Sequence, residues 1–274
     1  MLIIKFMVNF LEAVLLGVVQ GLTEWLPVSS SGHLVIVQQL FGIQVPLLFD
    51  IALHVGTLLA VLAFLWKDVL KIVSAFLKFD FKSDDGKMGL FILVGSVPVA
   101  LAGFFLHDFV ESLFSSLSAV GAALVVMGSI LYSTKFFKNG RGMNGEREMN
   151  GELNAKNALL IGISQAISII PGISRSGITI SSALYRNIGK QKAFVFSFLL
   201  SIPAVLGAAV FEVVSSSLGF SPIDFGMIFG AAIAASVGYL SLKLMRNIVD
   251  KERFYLFAYY CWLVGAAILV YKLL

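Results

Sequence analysis

The sequence predicts an all-α polytopic membrane protein with six transmembrane helices and two re-entrant helical hairpins. Of its 274 residues, 58% are hydrophobic and only 13% are charged, whereas soluble domains carry about 25% charged residues. Six apolar runs each approach the ~20 residues that a bilayer span requires. Two further apolar runs are interrupted by Pro, Gly and Ser clusters, which is typical of helices that enter a membrane and turn back.

The six runs that are long enough to cross can be read directly from the chain. Their mean hydropathy is high, as is that of the whole sequence, at +0.93. The predicted spans are 48–66, 88–106, 117–134, 193–213, 225–245 and 254–273.

The cysteine content excludes two kinds of site. A single cysteine, Cys261, excludes an internal disulfide framework and a cysteine-based metal site.

The two interrupted runs are too short to cross. Residues 10–26 end at Pro27, and residues 158–170 end at Pro171. Each arm of ~13–17 residues would be ~20–25 Å long, short of the ~30 Å hydrocarbon core. We therefore predict re-entrant hairpins at 10–38 and 158–186.

Charge placement predicts which ends face the cytoplasm. Lys and Arg concentrate in the connections 67–87 and 135–157, after the second hairpin, and before the last span, whereas 107–116 and 214–224 contain neither residue. By the positive-inside rule the basic connections are cytoplasmic. The chain is then a multi-pass protein of the cell membrane, with the first hairpin, the N-terminus and the C-terminus external.

The two halves of the chain are related in sequence. Gly17 and Gly162 lie 145 positions apart (162 − 17), and the same offset relates Gln20 to Gln165, Ser29 to Ser174 and Ser31 to Ser176. We predict two copies, 1–137 and 158–274, joined by a polar cytoplasmic linker, 138–157. Three crossings per copy invert one copy relative to the other, so the hairpin tips should meet near the midplane.

The first tip carries the residues of a reactive centre. Gln20 and Glu24 share one helix face because they are four positions apart. Glu24 could hold a divalent cation or act as a general base. Ser30 or Ser31 could cap the next helix or act as a nucleophile with His33 as base. A helix cap and a hydrogen-bonded structural histidine are the plainer alternatives.

The second tip carries the parts of a phosphate site, within the segment PGISRSGIT from Pro171 to Thr179. The Arg175 guanidinium matches a phosphate face bidentately, and Ser174, Ser176 and Thr179 offer hydroxyls. A helix starting near Gly177 would direct its positive end toward the anion. A structural pair between Arg175 and Glu24 is the alternative, and it is compatible with this function.

Other polar groups are placed outside the inner set of tip residues, which is Gln20, Glu24, Ser29, Ser30, Ser31, His33, Ser174, Arg175, Ser176 and Thr179. Asp50, His54 and Thr57 begin a span, where Asp50 could cap the helix and His54 could pack. Residues 107–116, with His107, Asp108 and Glu111, are predicted to be a solvated external loop. Residues 69–79 form an amphipathic piece that could lie along the inner membrane surface. Four aromatic residues near the last span are interpreted as packing or interfacial: Tyr255, Tyr259, Tyr260 and Trp262.

Four segments carry a resemblance to a known family. In order they are QGLTEWLPVSSSGHL, FDIALHVGT, GSVPVALAGF and PGISRSGIT, and together they resemble the undecaprenyl-diphosphate phosphatase family of the BacA (bacitracin-resistance) type. The resemblance implies a membrane enzyme that removes the terminal phosphate from a C55 polyprenyl diphosphate. The product is a carrier lipid for peptidoglycan or another glycan. It also implies a divalent cation, Mg²⁺ or Ca²⁺.

The same resemblance assigns roles to residues of this chain. Glu24, Ser30, His33 and Arg175 would be catalytic, with Glu24 also binding the metal. The attacking group would be Ser30 or a water that it positions, with His33 as proton acceptor. Gln at position 20 leaves one carboxylate where the family pattern permits two. The implied substrate contacts are Gln20, Ser29, Ser31, Ser174, Ser176 and Thr179.

The expected partners are the polyprenyl diphosphate lipid and the bilayer, with no nucleic acid and with a homodimer left open. A transporter or flippase is the alternative function, because inverted repeats with broken helices are common in transporters. Release of inorganic phosphate in detergent separates the two, since transport requires two compartments.

Overall fold

A computed structural model describes residues 8–137, 151–215 and 224–273. Within these ranges the protein is built from α-helices, with one 3-10 turn before the last helix. The helices are α1 (Phe10–Trp25), α2 (Ser30–Phe41), α3 (Leu47–Phe64), α4 (Trp66–Leu77), α5 (Asp84–Phe105), α6 (His107–Phe114), α7 (Leu117–Phe137), α8 (Ala155–Ile167), α9 (Arg175–Tyr185), α10 (Lys190–Ser215), α11 (Phe225–Asp250) and α12 (Phe257–Leu273), with the 3-10 turn at Phe254–Leu256.

In the described ranges, six helical segments are long and apolar enough to cross a membrane: α3, α5, α7, α10, α11, and the 3-10 turn together with α12. The six predicted spans are therefore confirmed. Most of their ends differ by a few residues from the predicted ones, and a capping residue sets some of the starts. At α5, for example, Ser83 Oγ accepts a hydrogen bond from Gly86 N at 3.2 Å, and the helix begins at Asp84.

The first interrupted segment reaches half-way along α11. Gly17 lies against Gly230, where a side-chain carbon on Gly17 would stand 2.8 Å from the Gly230 carbonyl oxygen. At the end of α1, Trp25 lies beside Gly238, near the middle of α11. The α1–α2 connection is therefore at mid-height in the bundle. Phe49, early in α3, is again beside Gly230, so the chain has returned by that point.

The second interrupted segment opens toward the other end of α11. Gly151 N donates to the Asn187 carbonyl at 2.9 Å, which brings the start of α8 and the end of α9 together. Lys190 Nζ then binds Glu252 Oε1 at 2.7 Å, just beyond the end of α11. The two helix pairs thus open in opposite directions, as the inverted repeat requires. Their insertion into a bilayer stays a prediction.

Packing between the halves is reciprocal. Helix α1 packs along α11, and α8 packs along α5, so the first arm of each pair contacts the second span of the other half. Helices α7 and α12 pack against each other. A pseudo-twofold relation between two copies would produce this pattern. The copy boundaries stay predictions, and residues 138–150 of the predicted linker lie outside the described residues.

Two connections differ from expectation. The predicted external loop at 107–116 contains the short helix α6, because its apolar residues recur at helical spacing and the His107 ring packs on Phe211 of α10. The amphipathic piece begins at Trp66, three residues earlier than predicted, and exposes an apolar stripe that includes Leu70 and Leu77. Residues 216–223, most of the other predicted external connection, lie outside the described residues.

Candidate active site

The two tips are in direct contact. Ser29 Oγ, from the first tip, accepts a hydrogen bond from Gly172 N of the second at 3.0 Å. In return, Ser176 Oγ donates to the Leu26 carbonyl at 3.3 Å. The predicted meeting of the tips is confirmed, and residues distant in sequence share one buried region.

The backbone of the first tip is held in an unusual conformation. Ser29 has φ 69° and ψ 100°, a region that non-glycine residues enter at a cost of about 1–3 kcal/mol. Its hydroxyl compensates by accepting from Gly32 N at 3.3 Å as well as from the second tip. Ser29 is therefore the cap of α2. The predicted cap at Ser30 or Ser31 was wrong, which leaves the Ser30 hydroxyl available for another contact.

The second tip places Arg175 in the first turn of α9. Ser174 Oγ caps this helix by accepting from Gly177 N at 3.1 Å, so α9 begins at Arg175 rather than near Gly177. Arg175 Nη2 lies 3.2 Å from Glu24 Oε1. The Glu24 side chain is only 2% exposed and that of Arg175 is 24% exposed. The pair joins the two tips, and the arginine is the member with access to a ligand.

The second oxygen of Glu24, Oε2, lies close to three other polar side chains. Glu24 Oε2 accepts from Ser30 Oγ at 2.5 Å and from Gln20 Nε2 at 3.0 Å. His54 Nε2 stands 3.9 Å from the same oxygen. Glu24 is thus in contact with the Ser30 hydroxyl, which could act as a nucleophile, and with the positively charged Arg175 side chain, which could bind an anion.

Two buried atoms at this centre have no partner. Among the described residues, Arg175 Nη1 and Gln20 Oε1 are both buried without a hydrogen bond. Buried polar groups in native proteins are nearly always hydrogen-bonded, and exceptions indicate a missing ligand, ion or water. An unpaired guanidinium N–H fits an anionic oxygen, and an unpaired amide oxygen fits a cation.

His33 lies apart from the Ser30 hydroxyl. Its Nδ1 is 2.8 Å from the Ser29 carbonyl, and its Nε2 is 2.7 Å from the Tyr260 hydroxyl. The carbonyl can only accept, so Nδ1 carries the proton. Both ring nitrogens are engaged, and Glu24, rather than His33, contacts the hydroxyl of Ser30. The predicted Ser30–His33 contact is replaced by a His33–Tyr260 contact.

The remaining predicted hydroxyls serve the tips themselves. Ser176 Oγ lies 3.2 Å from Ser174 Oγ. Thr179 Oγ1 donates to the Arg175 carbonyl at 2.8 Å, within α9. Ser31 Oγ is 3.3 Å from Ser29 Oγ. These groups shape the tips in this structure, and their contact with a substrate stays a prediction.

Three contacts at the centre come from residues placed outside the inner set by sequence. His54 approaches Glu24, Thr57 Oγ1 accepts from Gln20 Nε2 at 3.4 Å, and Tyr260 binds His33. His54 and Thr57 follow each other at helical spacing on α3, which was the available signal. The cluster of His107, Asp108 and Glu111 lies at the end of the bundle, where His107 also approaches Glu212 of α10.

Comparison with known proteins bears directly on this centre. The family model described as "Bacitracin resistance protein BacA" matches residues 13–267, which include both tips. The chain belongs to the BacA family. Similar proteins, each named undecaprenyl-diphosphatase, come from Desulfosudis oleivorans (44% identical over 94% of this chain and 97% of the relative), Desulfatibacillum aliphaticivorans (40%, 96% and 98%) and Korarchaeum cryptofilum (40%, 94% and 97%).

Proposed function

We propose that this chain is a membrane undecaprenyl-diphosphatase, which hydrolyses undecaprenyl diphosphate to the monophosphate and inorganic phosphate. Membership of the BacA family and near full-length similarity to proteins of that name support the reaction. The observation that carries the proposal is the shared contact of Glu24 with Arg175 and with the Ser30 hydroxyl.

The lipid and its headgroup would bind in different surroundings. The prenyl tail would lie in the bilayer against the apolar outer faces of the spans, and the diphosphate would reach the tips. The free Nη1 of Arg175 would donate to an oxygen of the terminal phosphate. The start of α9 adds the positive end of its dipole at the same place. Phosphate binding would thus use the part of the Arg175 guanidinium that is not occupied by its ion pair with Glu24.

The reaction requires a nucleophile and a proton acceptor in contact. The Ser30 oxygen, or a water held beside it, would attack the terminal phosphorus while its proton passes to the Glu24 carboxylate, whose Oε2 lies 2.5 Å from Ser30 Oγ. The bond between the phosphorus and the bridging oxygen breaks, and the lipid monophosphate leaves with the electron pair. If Ser30 attacks, water then hydrolyses the phosphoserine. Arg175 would stabilise charge on the phosphoryl oxygens.

The residues present also fit a divalent cation such as Mg²⁺ or Ca²⁺. Both ions prefer oxygen ligands, and Glu24 Oε2 lies beside the Gln20 amide, whose oxygen has no partner among the described residues. Glu24 and Gln20 would hold the ion. When bound, it would neutralise negative charge on the phosphate.

Phosphate release from the purified protein tests the function. In detergent with undecaprenyl diphosphate and Mg²⁺, we expect release of inorganic phosphate, and we expect chelation with EDTA to stop it. Arg175→Ala should abolish release, whereas Arg246→Ala, an exposed residue at the far end of α11, should not. Lack of release by the folded wild-type protein would contradict the proposal and favour transport, which detergent cannot register.

We also propose that the protein lies in the cell membrane with both termini external. The basic ends of several helices gather at one end of the bundle, where Lys190 binds Glu252 and Lys135 lies over the Tyr255 ring. By the positive-inside rule this end is cytoplasmic. Labelling of a cysteine introduced at His107 with an impermeant reagent in intact cells should succeed. Protection of that site would reverse the assignment.

A further inference from the structure

We propose that His54 is a nitrogen ligand of the cation held at Glu24, so that the metal site is built from both the first hairpin and α3. This proposal rests on the cation of the proposed function and adds a ligand to it. His54 was placed outside the inner set by sequence, where its position at the start of a span suggests packing. The structure turns its ring toward the catalytic carboxylate.

The orientation of the ring is fixed by the backbone. His54 Nδ1 is 2.8 Å from the Asp50 carbonyl oxygen, one turn earlier in α3. Because a carbonyl can only accept, Nδ1 carries a hydrogen, and Nε2 of the neutral ring presents a lone pair. Nε2 lies 3.9 Å from Glu24 Oε2. Two acceptor atoms are therefore close together, one on an enclosed carboxylate and the other on a partly exposed ring.

A cation between His54 Nε2 and Glu24 Oε2 would bond to both atoms. The 3.9 Å gap is too long for a hydrogen bond. It can admit an ion bonded to both atoms at about 2.0–2.5 Å. Glu24 Oε1 is paired with Arg175, whereas Oε2 is the oxygen nearest His54 and also accepts from Ser30 and Gln20. The oxygen of the Gln20 amide, Oε1, is buried without a partner among the described residues and would supply a third metal ligand.

The surroundings of His54 match those of a metal ligand. Histidines that bind metals usually donate their other N–H to a carbonyl or carboxylate, which fixes the ring and its tautomer. Here the Asp50 carbonyl has that role. The His54 side chain is 29% exposed, whereas Glu24 is enclosed, so an ion can approach from the side of His54.

A nitrogen ligand has a chemical consequence. Carboxylate and amide oxygens suit Mg²⁺ and Ca²⁺, whereas imidazole favours first-row transition metals. A site of Glu24, Gln20 and His54 should therefore bind Mn²⁺ more tightly than Mg²⁺. Replacing His54 by Gln, which keeps a polar side chain of similar reach, should reduce that preference.

Pulsed EPR of the protein loaded with Mn²⁺ tests the ligand directly. The chain has only three histidines, His33, His54 and His107, so each can be replaced in turn in protein purified through a histidine-free tag. We expect nitrogen hyperfine coupling to bound Mn²⁺ in the wild type, its loss in His54→Gln, and its retention in His33→Gln and His107→Gln. Mn²⁺ affinity should fall about tenfold or more in His54→Ala.

Coupling that survives in His54→Gln, or wild-type protein that binds Mn²⁺ without nitrogen coupling, would overturn the proposal and leave His54 as an ion-pair partner of Glu24. Failure to bind Mn²⁺ at all would overturn it too. Phosphate release measured on the same samples keeps the two claims separate. An active enzyme without coupling contradicts only the ligand, whereas an inactive wild type contradicts the phosphatase function whatever the EPR result. Gel filtration and thermal unfolding confirm that each variant is folded.

Discussion

Arg175 and Glu24 form an ion pair between the two tips, with Nη2 of the guanidinium 3.2 Å from Oε1 of the carboxylate. The pair balances the charge of a carboxylate that is almost fully enclosed. It also leaves Nη1 of Arg175 buried without a protein partner among the described residues. One arginine thus joins the two halves of the fold and keeps a donor for an anionic ligand.

Replacing Arg175 should lower both stability and activity, and only the stability should be regained when the charge of Glu24 is removed as well. Arg175→Ala leaves Glu24 buried without its counter-charge, which is costly, so the melting temperature in detergent should fall. The double variant Glu24→Gln/Arg175→Ala removes both charges and should regain most of that stability. Phosphate release should stay at least about 100-fold below wild type in both. An active double variant would show that the pair is structural only.

The Ser29 hydroxyl should be a structural link between the tips. Ser29→Ala leaves the backbone N–H groups of Gly172 and Gly32 without their acceptor, and buried unpaired donors cost about 1–3 kcal/mol each. We expect a clear drop in unfolding midpoint. The matched control is Ser236→Ala, because among the described residues that exposed hydroxyl bonds only to the carbonyl one turn earlier in its own helix. Equal stability of the two variants would contradict this role.

Tyr260 should position the His33 ring. Tyr260→Phe removes the hydroxyl that lies 2.7 Å from Nε2, and the loss of a hydrogen bond of about 0.5–1.5 kcal/mol should lower the melting temperature in detergent. Tyr259→Phe is the control, since its ring packs on Tyr132 and Trp262. The melting temperature should be unchanged in Tyr259→Phe. An equally unchanged melting temperature in Tyr260→Phe would contradict a stabilising hydrogen bond between Tyr260 and His33.

Features that depend on local pattern could be predicted from the sequence. The six spans follow from the length of apolar runs, whereas the positions of their ends depend in part on caps such as Ser83, which starts α5 four residues earlier than predicted. The meeting of the tips followed from the 145-residue offset and an odd number of crossings. Arg175 and Glu24 lie on these two tips, and the structure confirms that they are in contact.

Features that depend on helix crossings could not be predicted in this way. His54 reaches Glu24 because α3 packs along α1 and α11, and Tyr260 reaches His33 from α12, at the opposite end of the chain. The helical spacing of His54 and Thr57 is a local signal, but it does not identify Glu24 as the partner, and the local sequence around Tyr260 does not identify His33. The choice among Ser29, Ser30 and Ser31 as the cap of α2 depended on the strained backbone at Ser29, since all three residue types are the same.

The most direct test of the account is a double-mutant cycle between the tips, using kcat/KM for undecaprenyl diphosphate hydrolysis. Glu24→Asp and Arg175→Lys are conservative changes that should keep activity measurable. If both side chains serve one reaction centre, their effects should be strongly non-additive. We predict that kcat/KM of the double variant is no more than about threefold below that of the less active single variant. A loss equal to the product of the two single losses would contradict a shared centre.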